Sequence, residues 1–173
     1  MGEELTRWTI RVALALCFAA LATRLLAGRH SRGARLLWTL AWAAYLVHVG
    51  CAFQFFHGWS HAEAYRRTAD QTYAMTGWRW GGGLVFNYAF TLFWTLDIGA
   101  AWMAGGSDRA LKPRAQTLGA LWLGFFLFMV FNATVVFEQG PTRWTALVGF
   151  AVLAVCWWAR ARQQIGSPSA NAR

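Results

Sequence analysis

The chain is expected to fold as an all-α integral membrane protein: a bundle of five transmembrane helices, with a short outer-surface helix between the second and third. Three observations lead there. Hydrophobic residues make up 57% of the 173 and charged residues only 13%, which leaves room for one bundle and no separate soluble domain. Five apolar stretches, residues 8–27, 36–56, 84–104, 116–137 and 142–159, come near the roughly 20 residues that a helix rising about 1.5 Å per residue needs to cross a bilayer. Pro113, Pro141 and Pro168 all fall outside these stretches, so no span is broken from within. Residues 1–162 are therefore read as a single transmembrane domain, and the polar, small-residue tail 163–173 as a disordered cytoplasmic extension.

In the first span Ala15, Ala19 and Ala22 or Thr23 recur at helical spacing, a small-residue face on which another helix can approach closely in lipid. Arg11 and Arg24 flank it and can snorkel toward the headgroups. The second span carries Ala41, Ala44, His48 and Ala52 on one stripe, so His48 is expected to face protein. Beyond it the chain stays polar and helix-compatible from His57 to Tyr73, with Ala62, Tyr65, Ala69 and Tyr73 forming a modest apolar face. This segment is either an interfacial helix or an outward continuation of the second span. Gly81-Gly82-Gly83 then suits a sharp re-entry into the bilayer. The third span is the most polar, with Asn87, Thr91 and Thr95 on one face and Asp97 offset from it. The fourth holds Asn132 and Thr134 near its outer end with Glu138 just beyond, and Gly140-Pro141 turns the chain into the fifth.

Charge placement sets the orientation. Ten of the 16 basic residues gather at one side: Arg24, Arg29, Arg32 and Arg35, then Arg109, Lys112 and Arg114, then Arg160, Arg162 and Arg173. Short-loop Lys/Arg bias marks that side as cytoplasmic, with the N-terminus outside and the C-terminus inside a multi-pass inner-membrane protein. The net charge of +9 is thus spread over two membrane faces, which argues against nucleic-acid binding. The expected partner is the bilayer itself, with a membrane-protein partner or a homo-oligomer as further candidates. Many of the 12 tryptophans lie near span ends, where an apolar ring with one donor is favoured. The first span is read as retained, because Glu3 and Glu4 precede it where a signal peptide is positively charged. Cys17, Cys51 and Cys156 sit inside apolar segments without a CxxC pair and act as small hydrophobes.

Candidate chemistry concentrates at the outer end of the second span. Gln54, His57 and His61 follow the steps i, i+3, i+7 and line one face if the helix runs through. Two histidines four apart can share a metal ion, so His57 and His61 are candidate ligands, although Gly58 replaces the glutamate of an H-E-x-x-H motif. Asn87, Asn132 and Glu138 lie at the same expected depth, with Glu63 and Asp70 in the connection. These residues describe either a metal site, a metal-free polar pocket, or histidines solvated among headgroups. Ser60 beside the histidines has no legible oxyanion hole. A carboxylate at Asp97 is costly in hydrocarbon and must be protonated, wet or paired, for example with Arg24. Haem is disfavoured because His30, His57 and His61 give His48 no axial partner on a facing helix. Three functions follow: a small-ligand or metal-binding membrane protein with a pocket at its outer side, a non-catalytic accessory or assembly subunit of a larger membrane complex, or a small oligomeric transporter that uses Asp97.

Overall fold

The computed structural model describes residues 1–28, 31–103, 113–138 and 140–165. His30, Ala104 and the tail from residue 166 lie outside them. Helix α1 spans Gly2–Ala27; α2 spans Arg32–Ala52 and runs on into a π-helical turn, Phe53–His57. Helix α3 is His61–Thr76 and α4 is Gly83–Met103. Helix α5, Pro113–Phe131, continues into a second π turn, Asn132–Val136, and α6 is Pro141–Ile165. All but α3 are long and apolar enough to cross a membrane, and no strand forms among the described residues.

Local chemistry explains the boundaries. Glu3 and Glu4 complement the positive end of α1, and Arg7 bridges both at 3.7 and 3.1 Å, so the helix begins well before the apolar run. Ser31 caps α2 by accepting from the Ala34 N–H at 3.2 Å, and Ser60 caps α3 by accepting from Glu63 N–H at 3.2 Å. Pro113 and Pro141 open α5 and α6, where a missing N–H is no loss. The second span does not continue outward. Gly58 and Trp59 both take left-handed φ, 53° and 58°, and break the chain before α3 starts at an angle of its own.

The bundle has a basic end, where α1 finishes and α2 begins, and an opposite end that carries α3. Helix α1 packs most closely on α2, α6 packs on α1, and α4 packs on α2. The α2–α4 seam is polar along its length. Trp42 Nε1 donates to Thr95 Oγ1 at 3.0 Å, Tyr45 Oη pairs with Thr91 Oγ1 at 2.8 Å, and Trp102 Nε1 donates to Thr39 Oγ1 at 3.0 Å. The Asn87–Thr91–Thr95 face thus meets α2. Such bonds join helices that lipid would otherwise solvate equally well.

The α1 interface differs from the small-residue face read from the sequence. Ala15 and Ala19 are exposed, while Thr6, Ala13, Leu14, Cys17, Ala20 and Leu21 are buried. The buried face is the one that brings Thr6 to His48 and Arg24 to Asp97. In an apolar helix the few groups that need partners choose the interface, and small residues alone do not.

The core is aromatic. Trp38 and Phe126 are fully buried, with ring centres 4.9 Å apart; Trp94 lies 5.0 Å from Trp38 and 4.8 Å from Phe126. Helix α6 approaches α1 closely at Gly149, where an added Cβ would stand 2.6 Å from the Phe18 ring. Helix α6 meets its hairpin partner α5 through the π turn Asn132–Val136, and toward the basic end α5 and α6 splay.

Candidate functional site

A cavity of about 420 Å³ opens beneath α3 at the end opposite the basic one. Its walls come from α1, α2, α3, α4 and both π turns, and its polar lining includes His48, His57, Arg67, Gln71, Asn87 and Tyr88. A volume of this size lies within the roughly 300–1,000 Å³ of small-molecule sites.

The π turn explains how His57 reaches this wall. Nine residues separate His48 from His57, and at about 100° per residue an uninterrupted α-helix would place them roughly 180° apart. An i→i+5 turn takes up one extra residue, which reduces the angle to about 80°. The second π turn contributes Ala133 to the same wall. Both departures from α geometry therefore line one cavity.

His48 is held by α1. Its Nδ1 lies 3.1 Å from the Thr6 carbonyl oxygen and 3.4 Å from Thr9 Oγ1. A carbonyl only accepts, so Nδ1 carries the proton and Nε2 is the ring's acceptor. His57 Nδ1 is buried without a hydrogen-bond partner. His61 lies outside the cavity wall, with Nδ1 2.6 Å from Tyr88 Oη, and it fastens the start of α3 to α4. His57 and His61 both pack edge-on against Phe53, at 5.4 and 5.5 Å.

The continuous face expected for Gln54, His57 and His61 is not formed, because the Gly58–Trp59 break separates the last from the others. Gln54 is exposed and accepts from Trp59 Nε1 at 2.8 Å. Asn87 lines the cavity, whereas Asn132 turns back to donate to the Phe128 carbonyl at 2.8 Å, and Glu138 lies off the wall. Glu63 and Asp70 are occupied on the outer face of α3. Glu63 accepts from Arg66 at 2.7 Å and Arg67 at 2.8 Å, and these two guanidinium groups hold its carboxyl down at about 2. Asp70 binds Arg79 and, at 3.5 Å, Arg66. Ser60 Oγ serves as the α3 cap. Among the described residues no three of His, Cys, Asp and Glu gather to hold a metal ion.

Sequence reasoning missed Arg67, Gln71, Tyr45 and Tyr88. Their signal was present as polar positions 67, 68 and 71 on one side of α3, facing a third span whose polar stripe begins at Asn87.

Asp97 forms a second polar centre, at the basic end. Trp38 Nε1 donates to its Oδ2 at 2.8 Å, and Arg24 reaches the same oxygen at 3.4 Å. The pair anticipated for this carboxylate is formed. Arg35 donates to the Ala101 carbonyl at 3.4 Å and packs over Trp102 at 5.2 Å, while Arg160 donates to the Leu25 carbonyl. Three arginines thus serve half-buried or buried acceptors at the basic end of the bundle. Set against known protein families, curated proteins and solved structures, the chain matches none, and its function is read from these residues alone.

Proposed function

We propose that the chain is a multi-pass protein of the cytoplasmic membrane that binds a small polar ligand in the cavity beneath α3, from the outer side. The membrane reading is supported by large apolar side chains pointing outward along the spans, such as Leu92, Leu121, Val148 and Val155. In water these positions would be a liability, and in lipid they are solvated. The excess of arginine at the other end supports a cytoplasmic side there, with the N-terminus outside.

The observation that carries the ligand reading is the convergence of both π turns on one cavity with nine polar side chains in its wall. Insertions of this kind are retained where a side chain must be re-aimed. Donors from Arg67, Gln71 and Asn87 and the acceptor Nε2 of His48 suit a compact molecule carrying both acceptor and donor groups. Without three clustered ligands among the described residues, the metal-free version is the one proposed. Asp97 stands apart from this site, bonded to Arg24 and Trp38, so its role in this reading is structural.

The test compares small molecules that co-purify with detergent-extracted wild type and with Asn87→Leu and His48→Phe, measured by mass spectrometry. A polar species retained by wild type and lost from both variants is the expected result. Identical small-molecule profiles in all three folded proteins would remove the ligand reading.

A further inference from the structure

We propose that the splayed gap between α5 and α6 seats one acyl chain of an anionic phospholipid, drawn from the leaflet at the basic end. The gap is a groove of about 570 Å³. Leu123 and Leu127 of α5 form one wall and Leu153 and Trp157 of α6 the other, with Arg24 and Trp38 behind. It exists because the two helices meet at their π-turn end and diverge from it. Gly119 of α5 and Ala154 of α6, both in its lining, lack the bulk to fill it.

Its dimensions and its charge both point to a lipid. From Gly119 to Leu127 the groove follows α5 for about 12 Å at the helical rise, close to the ~15 Å that half of a 30 Å hydrocarbon core provides. One chain from one leaflet matches that depth. The charge at the mouth is positive: Arg160 and Arg162 stand one turn beyond Trp157 on α6, and Arg160 binds the carbonyl of Leu25, itself a groove residue. Among the described residues the only carboxylate at this end is Asp97, which Arg24 and Trp38 already engage. Glu3, Glu4, Glu63, Asp70 and Glu138 all lie at the far end. An anionic headgroup is therefore complementary where a zwitterionic one is not. The occupant rests on the membrane reading above but is independent of the cavity beneath α3.

The experiment is native mass spectrometry of the full chain in mild detergent, titrated with dioleoyl phosphatidylglycerol or dioleoyl phosphatidylcholine. Wild type is expected to keep one phosphatidylglycerol under conditions that strip phosphatidylcholine. Arg160→Gln should lower that preference about fivefold, the scale of one arginine near an anionic lipid surface. Gly119→Leu, which also improves helix propensity, and Ala154→Phe should both lose the bound lipid while circular dichroism stays native. Equal retention of the two lipids by wild type, or undiminished phosphatidylglycerol on both folded groove-filling variants, would overturn the proposal. If neither variant folds, the wild-type ratio and Arg160→Gln still decide it. Recovery of the chain in the soluble fraction without detergent would remove the membrane reading and this proposal together, whereas a lost lipid preference in extracted protein removes this proposal alone.

Discussion

The guanidinium carbon of Arg24 lies 3.9 Å from the centre of the Trp38 ring, and both side chains bond the same oxygen of Asp97, at 3.4 and 2.8 Å. The carboxylate at its edge and the indole face beneath it both stabilise the cation. Removing one member takes a close partner from a buried charge. Arg24→Leu or Asp97→Leu alone should destabilise the bundle by about 3–5 kcal/mol, and the double variant should recover much of that loss. Thermal unfolding in detergent of the two singles and the double measures the coupling, and additive losses would contradict it.

Helix α3 carries an ion-pair cluster of its own, Glu63 with Arg66 and Arg67, whose pH dependence has a definite sign. The Glu63 carboxyl is lowered from its ordinary 4.5 to about 2 by Arg66 and Arg67. A depressed carboxyl contributes stability that is present above the unfolded value and lost as pH falls through the folded one. The helicity of α3, followed by circular dichroism, should hold from pH 7 to about 4.5 and weaken between there and about 2. Glu63→Gln should abolish that dependence.

The π turn makes a prediction about chain length. Deleting exposed Gln54 should convert Phe53–His57 to α-helix and rotate His57 by about 100° away from the cavity. The deletion variant should keep its helical content yet lose any ligand that wild type retains. A bound ligand unaffected by the deletion would show that the re-aiming of His57 is irrelevant.

The break before α3 requires residues 58 and 59 at positive φ. Gly58→Ala places a Cβ in that region and should cost about 1–2 kcal/mol. The strain falls on the junction, so faster proteolytic cleavage between α2 and α3 is expected before any change in the spans.

The five spans were legible because their length and apolarity have no other good explanation in a chain of this size. The Arg24–Asp97 pair was legible too, since a carboxylate inside an apolar helix needs a partner and few cations can reach it. The cavity was legible only in part. His57 and Asn87 were found from their depth, but Arg67, Gln71 and Tyr88 depend on how α3 folds back, which two left-handed residues decide. The π turns carry no local signature, and Ala133 rather than Asn132 reaches the wall from the second of them. The α1 interface was misread because spacing shows which residues share a face and leaves open which face is used.

The bond from Arg160 to the Leu25 carbonyl joins the last helix to the first. A ribosome delivers these spans in order, so one flank of the earliest helix must wait in the bilayer until the final one emerges. Assembly of this bundle therefore waits for α6, and a nascent chain stalled before α6 should remain open along the Phe18 side of α1.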